Sequence, residues 1–122
     1  MSNVYEIPGW IDRIQEEIIE PDLPIIDPHH HLWHGPIQEK EENNPYRYLL
    51  EDLWNDTGSG HNIKKTVFID CGQEYYKQGP DSFKPVGETE FVVEIAKQAQ
   101  QDPNKSQISG IIGHVDMMLG DS

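Results

Sequence analysis

Basic side chains are scarce in this chain. Nine Lys and Arg stand against 22 Asp and Glu, a formal net charge of −13 over 122 residues. That balance repels nucleic acid and anionic membrane surfaces, so neither is expected as a partner. Cysteine is nearly absent too. The single thiol, Cys71, excludes an internal disulfide and fits a reducing, cytoplasmic compartment. Long apolar runs are missing: the opening "MSNVYEIPGW" has no basic stretch leading into a hydrophobic one, and no segment reaches membrane-spanning length. There are no short-period repeats and no low-complexity tract. A chain this short has room for one domain with a modest core.

What remains is an alternation of helical and strand patterns. "GWIDRIQEEIIE" sets Ile11, Ile14, Ile18 and Ile19 at helical spacing before Pro21, which predicts an amphipathic helix in an N-terminal extension over residues 1–23. "LPIIDPHHHLW" reads as a first strand running into a loop, and the polar, proline-bounded "HGPIQEKEENNPY" as a solvated loop. "YRYLLEDLWNDTGSG" predicts a short helix with Leu49, Leu50, Leu53 and Trp54 on its apolar face and Gly58 as its stop. "KKTVFIDCG" is the clearest strand, apolar enough from Thr66 to Ile69 for burial on both faces, as in a parallel sheet. "QEYYKQGPDSFKP" is a second long loop. "VGETEFVVEIAKQAQQ" aligns Phe91, Ile95 and Ala99 on one helical face, with Glu88 and Glu90 near the positive end of the helix dipole. "SGIIGHVDMMLG" gives a third strand. This order argues for parallel βαβ units, with a domain spanning residues 24–122.

The three consecutive histidines of "PIIDPHHHLW" raise the chemical question. On a strand, alternate side chains share a face, so His29 and His31 point together, with Asp27 and Ile25, while His30 points the other way. Two imidazoles at this spacing can converge on one cation, although zinc takes at least three protein ligands. A bare His-x-His is equally compatible with surface or capping chemistry. The run is short, internal and flanked by strand and turn signals, which argues against a tag.

The other two strands repeat the pattern. Each begins apolar and ends in ionisable or reactive groups: Asp70 and Cys71 after the second, His114 and Asp116 after the third. In parallel α/β folds the ligand site lies at the carboxyl ends of the strands. These four are therefore candidate substrate contacts. Each also has a structural reading: Asp70 as a turn cap, Cys71 as a small buried hydrophobe, His114 as a satisfied interior histidine. His61 in "SGHNI" precedes the second strand and reads as structural, and His34 reads as solvated loop.

Taken in order, "IIDPHHHLW", "RYLLEDL", "SGHNI", "TVFID", "GPDSFKPVGETEFV" and "GIIGHVDMMLG" resemble the amidohydrolase superfamily, and within it the amidohydrolase-2 group of metal-dependent TIM-barrel hydrolases and lactonases. The resemblance runs from about Pro24 to the end of the chain. It implies the N-terminal part, about three βα units, of a (β/α)8 barrel. It implies His29 and His31 as the first two ligands of a divalent cation such as zinc. The implied reaction is metal-assisted attack of water on a small ester, lactone or amide. Metal-independent lactonases and decarboxylases belong to the same group.

A full barrel of this kind needs about 250 residues. The family's later metal ligands and its general-base Asp, which comes from the last strand, have no matching positions here. The expectation is thus a piece of a longer protein or a truncated product, inactive alone, with sheet edges that invite self-association. A non-catalytic remnant is the main alternative, and a metal-binding or partner-binding module built on the histidine run a further one.

Overall fold

The computed structural model describes residue 9, residues 11–34 and residues 46–120. The chain is a mixed α/β structure built from a parallel sheet of three strands in the order β1-β2-β3, with two α-helices among the described residues. The elements are β1 (Pro24–His30), α1 (Leu50–Thr57), β2 (Asn62–Ile69), α2 (Val86–Ala99) and β3 (Gln107–Ile112). Among the described residues each crossover between neighbouring parallel strands holds one α-helix, as the alternation of patterns predicted.

β1 is an edge strand, and that explains how it carries prolines at positions 24 and 28: a missing ladder N–H costs little where no strand pairs on that side. The pairing slips between Asp27 and His30, because Asp27 lies opposite Thr66 and His30 opposite Phe68. One extra residue is accommodated there as a bulge. β2 is the central strand, and its β-branched and aromatic residues suit burial between two neighbours.

Both helices pack on one face of the sheet around a single core of Leu32, Leu50, Leu53, Phe68, Val92, Ile95 and Ala99. Phe68 and Thr66 on β2 are fully buried on that side. Val67 and Ile69, which alternate with them, are only half-buried on the other. Completely burying a side chain the size of Phe68 stabilises the fold by about 3 kcal/mol. The helices end as their sequences dictate. Gly58 follows α1, and a Cβ there would press to 2.9 Å from the Trp54 carbonyl oxygen. At the far end of the sheet the Trp54 indole N–H donates to the Ser106 carbonyl (2.9 Å) and Thr57 shares a hydrogen bond with the Ser106 hydroxyl (2.8 Å), which ties α1 to the segment before β3.

The N-terminal extension departs from its predicted helix. Among the described residues the 3-10 turn Ile11–Arg13 forms there, and residues 14–20 are irregular. Ile14 and Ile19 are exposed. Helical spacing supplies an apolar stripe, but without a partner surface so short a helix is marginal. Ile18 lies over Gly60. Residues 1–8 and 10, and most of the predicted solvated loop (35–45), lie outside the described residues. Among the described residues no helix is long and apolar enough to cross a membrane.

Candidate functional site

The bulge in β1 decides what the histidine run presents. Past it, His30 turns in toward the helices and is 8 % exposed, while the His29 and His31 rings converge in the cleft beside it. Their Nε2 atoms come within 3.2 Å of each other, with the rings at right angles. The His31 Nδ1 lies 2.8 Å from the Ile69 carbonyl oxygen. A carbonyl only accepts, so Nδ1 carries the hydrogen and Nε2 presents a lone pair. The Trp33 ring stacks on His31 at 5.9 Å and fixes its plane. This is the support a metal-ligating histidine requires: one nitrogen held by a backbone acceptor, the other free to ligate.

Two nitrogens bound to one tetrahedral zinc at ordinary bond lengths sit about 3.3 Å apart. The spacing found here matches a shared cation, and also a hydrogen bond in which the His29 Nε2–H donates to His31. Asp27 pairs with Thr66 and lines the same cleft as His29 and His31. Its Oδ1 accepts the His29 backbone N–H at 3.1 Å, a local turn. Among the described residues no group of three potential ligands forms. The pair fits a divalent cation in spacing and tautomer, but as two donors of a larger set.

His30 has a structural role. Its Nε2 meets the Thr66 hydroxyl at 3.0 Å, and burial foremost lowers its pKa, so the ring is neutral in the interior.

The end of β2 is organised differently. Asp70 is half-buried, and its Oδ2 accepts the Tyr75 hydroxyl at 2.8 Å. Cys71 packs against the core, with its sulfur 3.6 Å from the Leu32 carbonyl and 3.7 Å from Glu88. Burial first, then the neighbouring Glu88, pushes the thiol up to about 11, so it stays protonated and is not a nucleophile at neutral pH. Glu88, at the start of α2, is the residue that sequence reasoning missed. Its position near the helix N-terminus explained it too easily as a dipole partner. It is 1 % exposed, and its carboxyl reaches back to accept the backbone N–H groups of Cys71 and Gln73. The signal in the sequence was Gly87 before it: a Cβ at Gly87 would collide with the Glu74 carbonyl oxygen, because the β2–α2 loop lies directly on this turn.

β3 stops at Ile112, so His114 and Asp116 lie on the exit segment beyond it. Both are exposed. They line one cleft of about 570 Å³ together with Tyr75, Asp81, Ser82 and Lys84. Asp116 Oδ1 accepts the Met118 N–H at 2.9 Å and caps the 3-10 turn Met117–Leu119. His29 and His31 line a different cleft, of about 350 Å³, with Trp33, Tyr48 and Asp56. The six sequence candidates thus fall into an imidazole pair, a closed carboxyl cluster and an exposed cleft, and Tyr75 joins the last two. His34, read as solvated, is half-buried: its N–H donates to the Gln73 side chain (3.3 Å) and its ring packs 5.2 Å from Phe91. His61 is exposed near the start of β2, away from these groups.

Set against known proteins, the chain matches no family model, no curated protein and no solved structure.

Proposed function

We propose that this chain carries the first two metal ligands of a hydrolytic site of the amidohydrolase type, on three βα units that open an eight-stranded barrel. The observation that supports this reading is the imidazole pair: two Nε2 atoms 3.2 Å apart at the carboxyl end of a parallel strand, one of them oriented by the Ile69 carbonyl. A divalent cation held there, zinc by preference, supplies Lewis acidity toward a carbonyl oxygen and toward water.

The chain's own residues do the rest. His31 is held rigid by Ile69 and Trp33, and His29 completes the pair from an exposed position. Asp70, Cys71, His114 and Asp116 are the candidate wall of the substrate pocket, and Tyr75 orients Asp70. The substrate class is a small ester, lactone or amide. The remaining ligands and the general base would come from a further strand set, either a longer chain or a partner paired along the open edges of β1 and β3. A cytoplasmic setting suits a chain whose single thiol is protonated and half-buried.

A second reading is a non-catalytic cation-binding domain. It is favoured by the absence, among the described residues, of a third ligand beside the pair. Titration calorimetry with zinc, on the chain and on His29→Ala and His31→Ala, together with a panel of lactone and ester hydrolysis assays, separates the two. Zinc binding that each substitution abolishes, with turnover, supports the hydrolase. Binding without turnover, in a form that supplies the missing strands, supports the second reading. Zinc affinity unchanged by both substitutions ends both.

A further inference from the structure

The cleft that holds the imidazole pair has a second end. His31, Trp33 and Tyr48 stand in a row, with ring-to-ring steps of 5.9 Å and 6.1 Å. Backbone hydrogen bonds fix the second step: the Trp33 N–H donates to the Tyr48 carbonyl (2.9 Å) and the Tyr48 N–H to the Trp33 carbonyl (2.8 Å). Residues directly opposed in an antiparallel bridge carry their side chains to the same side. The Tyr48 hydroxyl ends the row by donating to Asp56 Oδ2. Burial first, and then that hydrogen bond, push the phenol up, so it stays a neutral donor.

These groups line one cleft of about 350 Å³, and Asp27 adds a second carboxylate to it. Among the described residues no lysine or arginine lines it. Arg47, next to Tyr48 in the chain, lines a different cleft with Phe91 and Glu94. Carboxylates alone would describe many faces of so acidic a chain. What sets this cleft apart is a row of aromatic rings that runs from two imidazoles to a carboxylate. Trp33 and Tyr48 are half-buried, so each keeps ring surface open to the cleft, and Asp56 is exposed. Aromatic faces beside a carboxylate attract a positively charged nitrogen, the rings through their quadrupole and the carboxylate through its charge. An anionic ligand meets two carboxylates there and no countercharge.

We propose that the Trp33–Tyr48–Asp56 end of this cleft binds an organic ammonium group. The methyl or methylene groups of the ammonium rest on the Trp33 and Tyr48 rings, and its charge lies at Asp56. The binding site does not rest on the hydrolase reading. The substrate it implies does: an ester, lactone or amide with its carbonyl at the imidazole pair and a positively charged nitrogen two ring steps away. The separation matters, because a metal ion on the imidazoles repels a second positive charge placed beside it. Contacts of an exposed cation with a ring or a carboxylate are individually modest, so a small probe binds in the millimolar range.

Titration of the 122-residue chain with choline at constant ionic strength, read by the NMR shifts of the Tyr48 and Asp56 amides, tests this. Saturable shifts with a midpoint of about 1–20 mM are expected. Dimethylbutanol, the uncharged carbon isostere of choline, should bind about threefold more weakly or worse. Asp56→Asn keeps an acceptor for the Tyr48 hydroxyl but removes the charge, and should weaken choline binding about threefold or more. Trp33→Leu removes a ring face and should weaken it by about the same factor. Shifts that do not saturate by about 100 mM overturn the proposal. So does equal affinity for the uncharged isostere, or choline affinity unchanged in either variant. Zinc titration judges the hydrolase reading and choline titration this one, so either can fail without the other.

Discussion

The ends of β1 and β2 are neighbours in one sheet, yet they handle polar groups in opposite ways. At the end of β1 one hydrogen bond, His31 to Ile69, anchors the imidazole pair and leaves two ring nitrogens directed at each other in a solvent-accessible cleft. At the end of β2 the polar groups are answered from within: Tyr75 donates to Asp70, and Glu88 accepts two backbone amides. The first arrangement holds capacity in reserve for something from outside. The second is closed and holds a loop. A polar cluster at a strand end is a candidate ligand site only where its hydrogen-bonding capacity is left over, and that criterion separates His29 and His31 from Asp70 and Cys71 more sharply than position does.

The contrast is most strongly tested by removing the centre of the closed cluster. Glu88→Ala leaves the Cys71 and Gln73 amides without acceptors and opens a hole beside the core. The expected loss of stability is about 3 kcal/mol, read by urea unfolding. If Glu88→Ala unfolds at the wild-type urea concentration, the cluster does not hold the loop and the contrast fails.

The same cluster should reveal itself in pH dependence. Glu88 has a raised folded-state pKa, so its contribution is complete below its unfolded value, near 4.5, and is lost as pH rises through about 7. The whole effect is roughly 3 kcal/mol at most. His30 works in the opposite direction. Its pKa is lowered by burial, so its contribution is present above 6.5 and lost as pH falls below that value. The two partly cancel in the wild type near pH 5 to 6. The diagnostic quantity is therefore the difference between wild type and Glu88→Gln across about pH 4 to 8, which should slope toward lower wild-type stability as pH rises. A flat difference would mean that Glu88 does not hold its proton in the fold.

Gly87→Ala is a milder probe of the same loop. Its Cβ meets the Glu74 carbonyl oxygen and the Tyr76 backbone nitrogen, neither of which can swing away as a flexible side chain would. A cost of about 1–3 kcal/mol is expected from chemical unfolding, along with weaker exchange protection across the loop. Retained stability would mean that the loop is not seated on α2.

Much of this architecture could be read in the sequence, and the failures have definite causes. The five regular elements follow from apolar periodicity, and β2 was legible because Thr66 to Ile69 is an unbroken buried run. The convergence of His29 and His31 followed from strand alternation. The slip in pairing between Asp27 and His30 was not legible, because no pattern in "IIDPHH" shows it. The N-terminal helix failed because periodicity records which faces are apolar, not whether a partner exists to cover them; Ile19 is 94 % exposed. Glu88 was hidden for a related reason. Its role depends on a loop folded back across Gly87, a tertiary contact that local helix chemistry does not encode.

The smallest expected effects lie on the open side of the comparison. His31→Ala removes the Ile69 hydrogen bond and the Trp33 stack, for a loss of about 1 kcal/mol. His29 is exposed, and among the described residues its ring pairs with His31, so His29→Ala should change stability by less than about 0.5 kcal/mol. For zinc the two should be alike, because a pair that shares one cation loses it when either ring is removed; at least a tenfold drop in affinity is expected of each. Calorimetric titration beside urea unfolding on both variants separates the two properties. A His29→Ala chain that is as stable as wild type and also binds zinc as well would show that the ring nitrogens face each other only as a hydrogen-bonded pair. The end of β1 would then be as self-contained as the end of β2.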